Sequence, residues 1–190
     1  LLSLYTAVRV TDINKEKKST GGPVGFLIDH AWGWFNRVDG GHPGIGYRFP
    51  AGDYLDTGGR LGYSGAQKKL SSGADLSVPW RAIRYSGSVF MEASAESTPA
   101  SRGSSYGRFI PGMMTYLGYD DYFDYYRREQ LRVGGSIGRS DLPVSLSVAA
   151  VLENHASLAK RSGFNGWLFR NVQRENPAIE EGRLASLQVR

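Results

Sequence analysis

The chain has no cysteine among its 190 residues, only three histidines, and no long apolar run. The first absence excludes a disulfide framework and any thiolate metal site, but leaves the compartment open, because many exported proteins also lack cysteine. The last excludes a helical membrane protein, since a spanning helix needs about 18 or more consecutive apolar residues. Spanning strands remain open, because about 9 to 11 tilted residues suffice and the signal per segment is weak. Dense charge of one sign is also missing. The net charge is +5, yet the basic residues are scattered, and the one tight run, Lys15-Glu16-Lys17-Lys18, has the pattern of a solvated turn. A phosphate-binding patch needs more than that, so nucleic acid is not an expected partner.

Glycine and aromatic residues are plentiful, with 25 glycines and 11 tyrosines. Together they suit short strands joined by turns. Between Leu55 and Ala93 three segments alternate with period two. Leu55, Thr57, Gly59, Leu61 and Tyr63 oppose Asp56, Gly58, Arg60, Gly62 and Ser64. Leu70, Ser72, Ala74, Leu76, Val78 and Trp80 oppose Ser71, Gly73, Asp75 and Ser77. Ile83, Tyr85, Gly87, Val89, Met91 and Ala93 oppose Ala82, Arg84, Ser86, Ser88 and Glu92, with Phe90 the one misplaced side chain. Successive strand residues point to opposite faces, so each segment reads as a strand with one apolar and one hydrophilic face.

Further strands are read at Leu2 to Thr11, Ile45 to Phe49, Leu131 to Ile137, Val144 to Leu152, Phe164 to Phe169 and Arg183 to Arg190, about eight to ten in all. Ser94 to Tyr106 reads as a long loop, and Tyr119 to Gln130 as a short helix or irregular segment. The expected fold is all-β, an incomplete antiparallel barrel of transmembrane type. It forms a single domain over residues 1–190, taken as part of a longer protein because Leu1 is not Met and Arg190 falls inside a strand pattern.

Alternation does not say which face is wet. A soluble barrel turns the apolar face inward, whereas an outer-membrane barrel turns it to lipid and lines its interior with the polar face. The hydrophilic rows here hold Gly, Ser and single paired charges, with few of the long Lys and Glu side chains that coat a solvated sheet. Phe49, Tyr63 and Trp80 sit near the ends of apolar rows, as interfacial girdles do. Connections are unequal, short at Gln67 to Lys69 and long after Ser94. These features favour lipid outside, with Arg60, Asp75, Arg84, Glu92 and Arg132 lining the lumen and Leu61, Leu76, Val78, Ile83, Val89 and Met91 facing lipid.

Candidate chemistry is sparse. Asp29 and His30 are neighbours and point apart on a strand, so they do not aim at one ligand. Gly103-Ser104-Ser105-Tyr106-Gly107 matches a nucleophile elbow formally, but lacks the preceding strand and following helix that the elbow requires. Glu153 and His155 would need a serine within reach to form a triad. Trp32 and Trp34 share a face and read as a lipid-facing or core stripe rather than a sugar platform. Asp120, Asp121 and Asp124 lack the spacing of a calcium loop. No catalytic residue, metal ligand or cofactor is therefore expected, and the chain is not expected to be an enzyme.

Phe35-Asn36-Arg37-Val38-Asp39-Gly40, followed by Gly44-Ile45-Gly46-Tyr47-Arg48-Phe49, resembles the asparagine-arginine-acidic-glycine entry of outer-membrane barrels of the bacterial surface-antigen group, related to the barrel-assembly superfamily. Asp120-Asp121-Tyr122-Phe123-Asp124-Tyr125-Tyr126-Arg127 is similar to a run in a Bacteroidetes-type, functionally uncharacterised branch of that group. The resemblance implies a bacterial outer-membrane location, a transport, protein-assembly or structural role, and the bilayer and other outer-membrane or periplasmic proteins as partners. The alternative is a secreted or periplasmic β-sandwich or barrel that binds glycan or protein, with Leu61, Leu76 and Val89 buried beneath exposed charges.

Overall fold

A computed structural model describes residues 31–51, 54–100, 109–139 and 144–190. The strand read at Leu2 to Thr11, the Asp29-His30 pair and the Gly103–Gly107 match lie outside the described residues. Eight strands form one sheet: β1 (Ala31–Asn36), β2 (Gly40–Ala51), β3 (Leu55–Ser64), β4 (Lys69–Arg81), β5 (Tyr85–Pro99), β6 (Tyr125–Arg139), β7 (Ser145–Ser157) and β8 (Gly182–Val189). Each pairs antiparallel with the next in sequence order, a meander from β1 to β8. β1 and β8 do not pair with each other, so the sheet is not closed. It is nonetheless strongly curled: a single cavity of about 1160 Å³ touches Trp32 of β1, Arg60, Glu92 and Arg132 in the middle, and Arg190 just beyond β8. The result is an incomplete all-β barrel, a trough with a concave and a convex face.

The pairing register fixes which residues share a face. Arg60 lies opposite Gly73, Asp75 opposite Glu92, and Glu92 opposite Arg132, which places these four on the concave side. Leu61, Leu76, Val78, Val89 and Met91 project from the convex side. Leu61 is 51% exposed, Leu76 38% and Val89 58%. The hydrophilic face is thus the more enclosed one, the reverse of an ordinary soluble sheet. Ile83 and Arg84 were expected on strand faces, but they occupy the three-residue turn between β4 and β5, where the hydrogen bond from Ala82 N to Tyr85 O closes the hairpin.

Other local readings are corrected by long-range pairing. Ser94 to Pro99, read as loop, is the end of β5, because each residue finds a partner from Gln130 to Tyr125 on β6. The tyrosines at helical spacing from Tyr125 onward are likewise drawn into that ladder, so only residues 118–124 are irregular. The short helix lies earlier, α1 at Phe109–Leu117. Phe164 to Phe169 is not a strand but part of the connection between β7 and β8. A meander also alternates ends, so the tight turn at residues 65–68 and the long connections 100–124 and 158–181 all lie at one end. Between consecutive strands, the connections at the opposite end are the short ones at 52–54, 82–84 and 140–144. The contrast in length is real, but it divides the two ends differently from the expectation.

α1 ends in a Schellman arrangement. Gly118 at φ 102° donates to Thr115 O at 3.0 Å, and Tyr119 N donates to Met114 O at 3.0 Å. The carbonyls of Tyr116 and Leu117 accept from Trp167, Leu168 and Phe169, so the β7–β8 connection caps the helix. The helix packs on β1, and Gly112 permits the contact: a Cβ there would lie 2.8 Å from Phe35 O and 3.1 Å from Phe35 N. Gly112→Val is expected to destabilise the fold by about 1–3 kcal/mol. Gly41→Ala, whose Cβ meets nothing within 4 Å, should change it by no more than about 1 kcal/mol. Thermal unfolding of the two variants measures the difference.

Candidate functional site

The concave face is a lattice of paired charges. Arg48 reaches Asp56 at 3.5 Å and Asp75 at 3.4 Å. Arg132 holds Glu92 through both carboxylate oxygens at 3.1 and 3.2 Å, and its guanidinium lies 4.6 Å from the centre of the Phe90 ring. Phe90 breaks the alternation because it serves as a platform for that cation. Glu96 sits between Arg60 at 3.2 Å and Arg128 at 3.8 Å, and Glu153 between Arg128 at 3.9 Å and His155 at 3.3 Å. Each enclosed charge has an opposite within reach, as a partly desolvated surface requires. Gln130 adds a 2.8 Å hydrogen bond to Glu153.

At the long-connection end the β1–β2 turn is buried, and it carries the sharpest polar geometry in the molecule. Asn36 Oδ1 accepts from Val38 N at 2.8 Å and Asp39 N at 2.6 Å, an Asx turn that fixes the hairpin. Asp39 and Arg37 then serve opposite sides. The Asp39 carboxylate accepts from Ser64 Oγ at 3.0 Å, Ser97 Oγ at 2.8 Å and Asn36 Nδ2 at 2.9 Å, joining β1, β3 and β5. Arg37, whose side chain is 0% exposed, donates through Nε to Asp121 O at 3.2 Å and through Nη2 to Asp124 Oδ1 at 3.2 Å. Its backbone N donates to Asp121 Oδ2 at 3.2 Å. The two runs that carry the family resemblance, 35–40 and 120–127, therefore meet in space although they lie more than 80 residues apart.

Three amides knit the surrounding connections to this turn. Gln67 Nε2 donates to Val38 O and Ala159 O, and Gln173 accepts from Asp121 N. Asn176 accepts from Tyr125 N and donates to Tyr125 O and Leu158 O. Val38, Tyr125 and Leu158, with Phe123 beside them, form a small apolar core under the same turn. Burial pushes the Asp121 carboxyl above the usual carboxylate range, against the lowering effect of the Arg37 and Phe123 amides and the Arg37 charge.

Of the two positions open to the tryptophan stripe, the lipid-facing one does not hold. Trp32 and Trp34 lie on the polar, concave side, stacked on each other at 4.8 Å and, for Trp34, on His42 at 4.1 Å. Glycines make room: a Cβ at Gly44 or Gly62 would collide with the Trp32 ring. Next to this stack, Asp39 Oδ2 lies 4.0 Å from His42 Nδ1, and His42 Nε2 lies 2.6 Å from Ser71 Oγ. The order is that of a triad. Hydrolysis needs the hydroxyl open to a carbonyl, whereas Ser71 is 3% exposed and Trp32 packs over Gly62 beside it. We read these groups as a buried structural relay. His155 reaches Glu153, and no serine hydroxyl bonds it among the described residues. The sequence gives no periodic signal for Gln67, Gln173 or Asn176, and the His42–Ser71 pair is brought together only by the β2–β3–β4 register.

What these features define is a class of architecture: an open antiparallel meander with its charges on the concave face and one end plugged by a buried turn. No family model, curated protein or solved structure matches the chain.

Asp39→Ala leaves buried donors on Ser64, Ser97 and Asn36 without their acceptor, and is expected to cost about 3–5 kcal/mol. Asp120→Asn in the exposed part of the neighbouring connection should stay within about 0.5 kcal/mol. Urea unfolding measures both. The raised pKa of Asp121 means that the folded state takes up its proton at higher pH than the unfolded chain. Its carboxylate therefore opposes folding near neutrality, and this cost fades as pH falls towards 3.8. Wild type should accordingly gain stability relative to Asp121→Asn between pH 7 and pH 4, as paired unfolding curves would show.

Proposed function

We propose that the chain is part of a bacterial outer-membrane β-barrel of the surface-antigen, barrel-assembly-like group, with a transport, protein-assembly or structural role and no chemistry of its own. One observation carries this reading: strand charges are gathered on the concave face, and the convex face bears an uncharged band. On β6 the convex positions run Glu129, Leu131, Val133, Gly135, Ile137 and Arg139, with charge only at the two ends. Those ten steps rise about 33 Å at about 3.3 Å each. A strand tilt of about 40° brings this to about 25 Å, the height of the apolar band of outer-membrane barrels.

Aromatic residues support the same reading. Phe49, Trp80 and Tyr85 lie on the convex side towards the short-turn end and Tyr63 towards the other, each 38% exposed or more. A soluble sandwich would need a second layer over Leu61, Leu76 and Val89. Among the described residues no layer covers them. Short connections at one end and long ones at the other also suit a barrel with tight periplasmic turns and larger outer loops. The contact between runs 35–40 and 120–127 supports the group assignment, because the two resembling segments act as one structural unit.

Val133→Arg tests this reading. In lipid vesicles the variant is expected to lose about 2–4 kcal/mol of folding free energy, the cost of a guanidinium on the lipid face near the bilayer midplane. A soluble protein with Val133 in water would change by about 0.5 kcal/mol or less, and that result would remove the membrane assignment.

A further inference from the structure

We infer that α1 and residues Gly166–Arg170 form an anchor lying in the headgroup interface of the bilayer leaflet at the long-connection end, an inference that rests on the membrane reading above. α1, Phe-Ile-Pro-Gly-Met-Met-Thr-Tyr-Leu, contains no charged residue. Ile110, Met113, Met114 and Tyr116 are nonetheless all more than two-fifths exposed, and Trp167 is 67% exposed with Leu168 and Phe169 beside it. The two segments move as a unit, since the amides of Trp167, Leu168 and Phe169 cap the carbonyls of Tyr116 and Leu117. An apolar patch of this kind is rare on a monomer in water.

Three observations point to lipid as the occupant. The patch continues the convex face: the Phe35 ring, on the side of β1 opposite Trp32 and Trp34, makes edge contacts with Tyr116 at 5.6 Å and with Phe164 at 5.1 Å. It lies at the end of β1 that runs into the buried turn, the same end of the sheet at which Glu129 closes the uncharged band of β6. This is the depth at which Trp and Tyr gather in membrane proteins. Finally, Arg161 and Arg170 are exposed beside the patch, whereas Lys160 pairs with Glu175 and Arg174 with Asp124. Cations beside an apolar, aromatic surface match anionic headgroups above acyl chains.

The absence of native cysteine makes a spin-label test direct. Leu168→Cys and Val133→Cys, each carrying a nitroxide, are folded into vesicles of phosphatidylcholine and phosphatidylglycerol. Collisions with oxygen and with a water-soluble nickel chelate then report depth. The expected result is a Val133 label shielded from nickel and a Leu168 label at intermediate depth, with nickel accessibility about three-fold or more below that of free label. A shielded Val133 with a Leu168 label as accessible as free label would overturn the anchor while leaving the barrel reading intact. Spin–spin broadening at Leu168 that disappears on dilution with unlabelled chain would assign the patch to a second copy and overturn it too. An accessible Val133 would remove the membrane reading and the anchor with it.

Discussion

The buried turn from Asn36 to Asp39 is the constraint on which the structure depends. A two-stranded hairpin could end in any short turn, but this one places a guanidinium and a carboxylate, two residues apart, where neither meets water. Such charges are tolerated only when donors and acceptors from elsewhere converge on them. Asp39 recruits hydroxyls from β3 and β5, which sets the curl of the sheet at this end. Arg37 recruits Asp121 and Asp124, and through Asn176 the β7–β8 connection. Opposite edges of an open sheet are thereby tied to one point. Among the described residues the side-chain partners of Arg37 lie in the long connections, which holds those connections over this end of the trough.

The strands obey a complementary rule. In a soluble β-protein, sequence alternation delivers apolar side chains to a core between layers. Here one buried apolar cluster lies under the turn, at Val38, Tyr125 and Leu158, and Ala149 and Val151 are buried on the concave side of β7 opposite Gly134 and Arg132; among the described residues none lies beneath the apolar rows of the strands. The concave face instead closes on itself through Arg–carboxylate pairs, and glycine opposite a long side chain recurs across it, as at Gly73 beside Arg60 and Gly58 beside Asp75. A face that satisfies its own charges is suited to a confined, wet interior. An uncharged face left bare is suited to an apolar solvent.

Much of this is legible in the amino-acid sequence. Period-two patterning located β3, β4 and β5 and sorted Arg60, Asp75, Glu92 and Arg132 from Leu61, Leu76, Val78, Val89 and Met91, because the side-chain period of a strand is two whatever surrounds it. Segments whose state depends on distant partners were less legible. Ser94 to Pro99 has loop composition, yet a full ladder to β6 holds it extended. Tyr125 and Tyr126 keep helical spacing and are strand for the same reason. Ile83 and Arg84 continue the alternation into a turn, which period alone does not mark. The turn at 36–39 was visible as a family-like run, but its burial was not, since the groups that enclose it, Gln67, Asp121, Gln173 and Asn176, are single polar residues with no pattern.

The membrane proposal requires that the convex, uncharged face meet an apolar solvent. The most direct measurement is the circular dichroism and sedimentation of the chain diluted from urea into buffer alone and into buffer with lipid vesicles. If lipid covers that face, strand signal and a defined particle arise only where lipid is present, since among the described residues nothing covers the rows of Leu61, Leu76 and Val89. A monodisperse, β-structured chain in buffer without lipid or detergent would contradict the proposal.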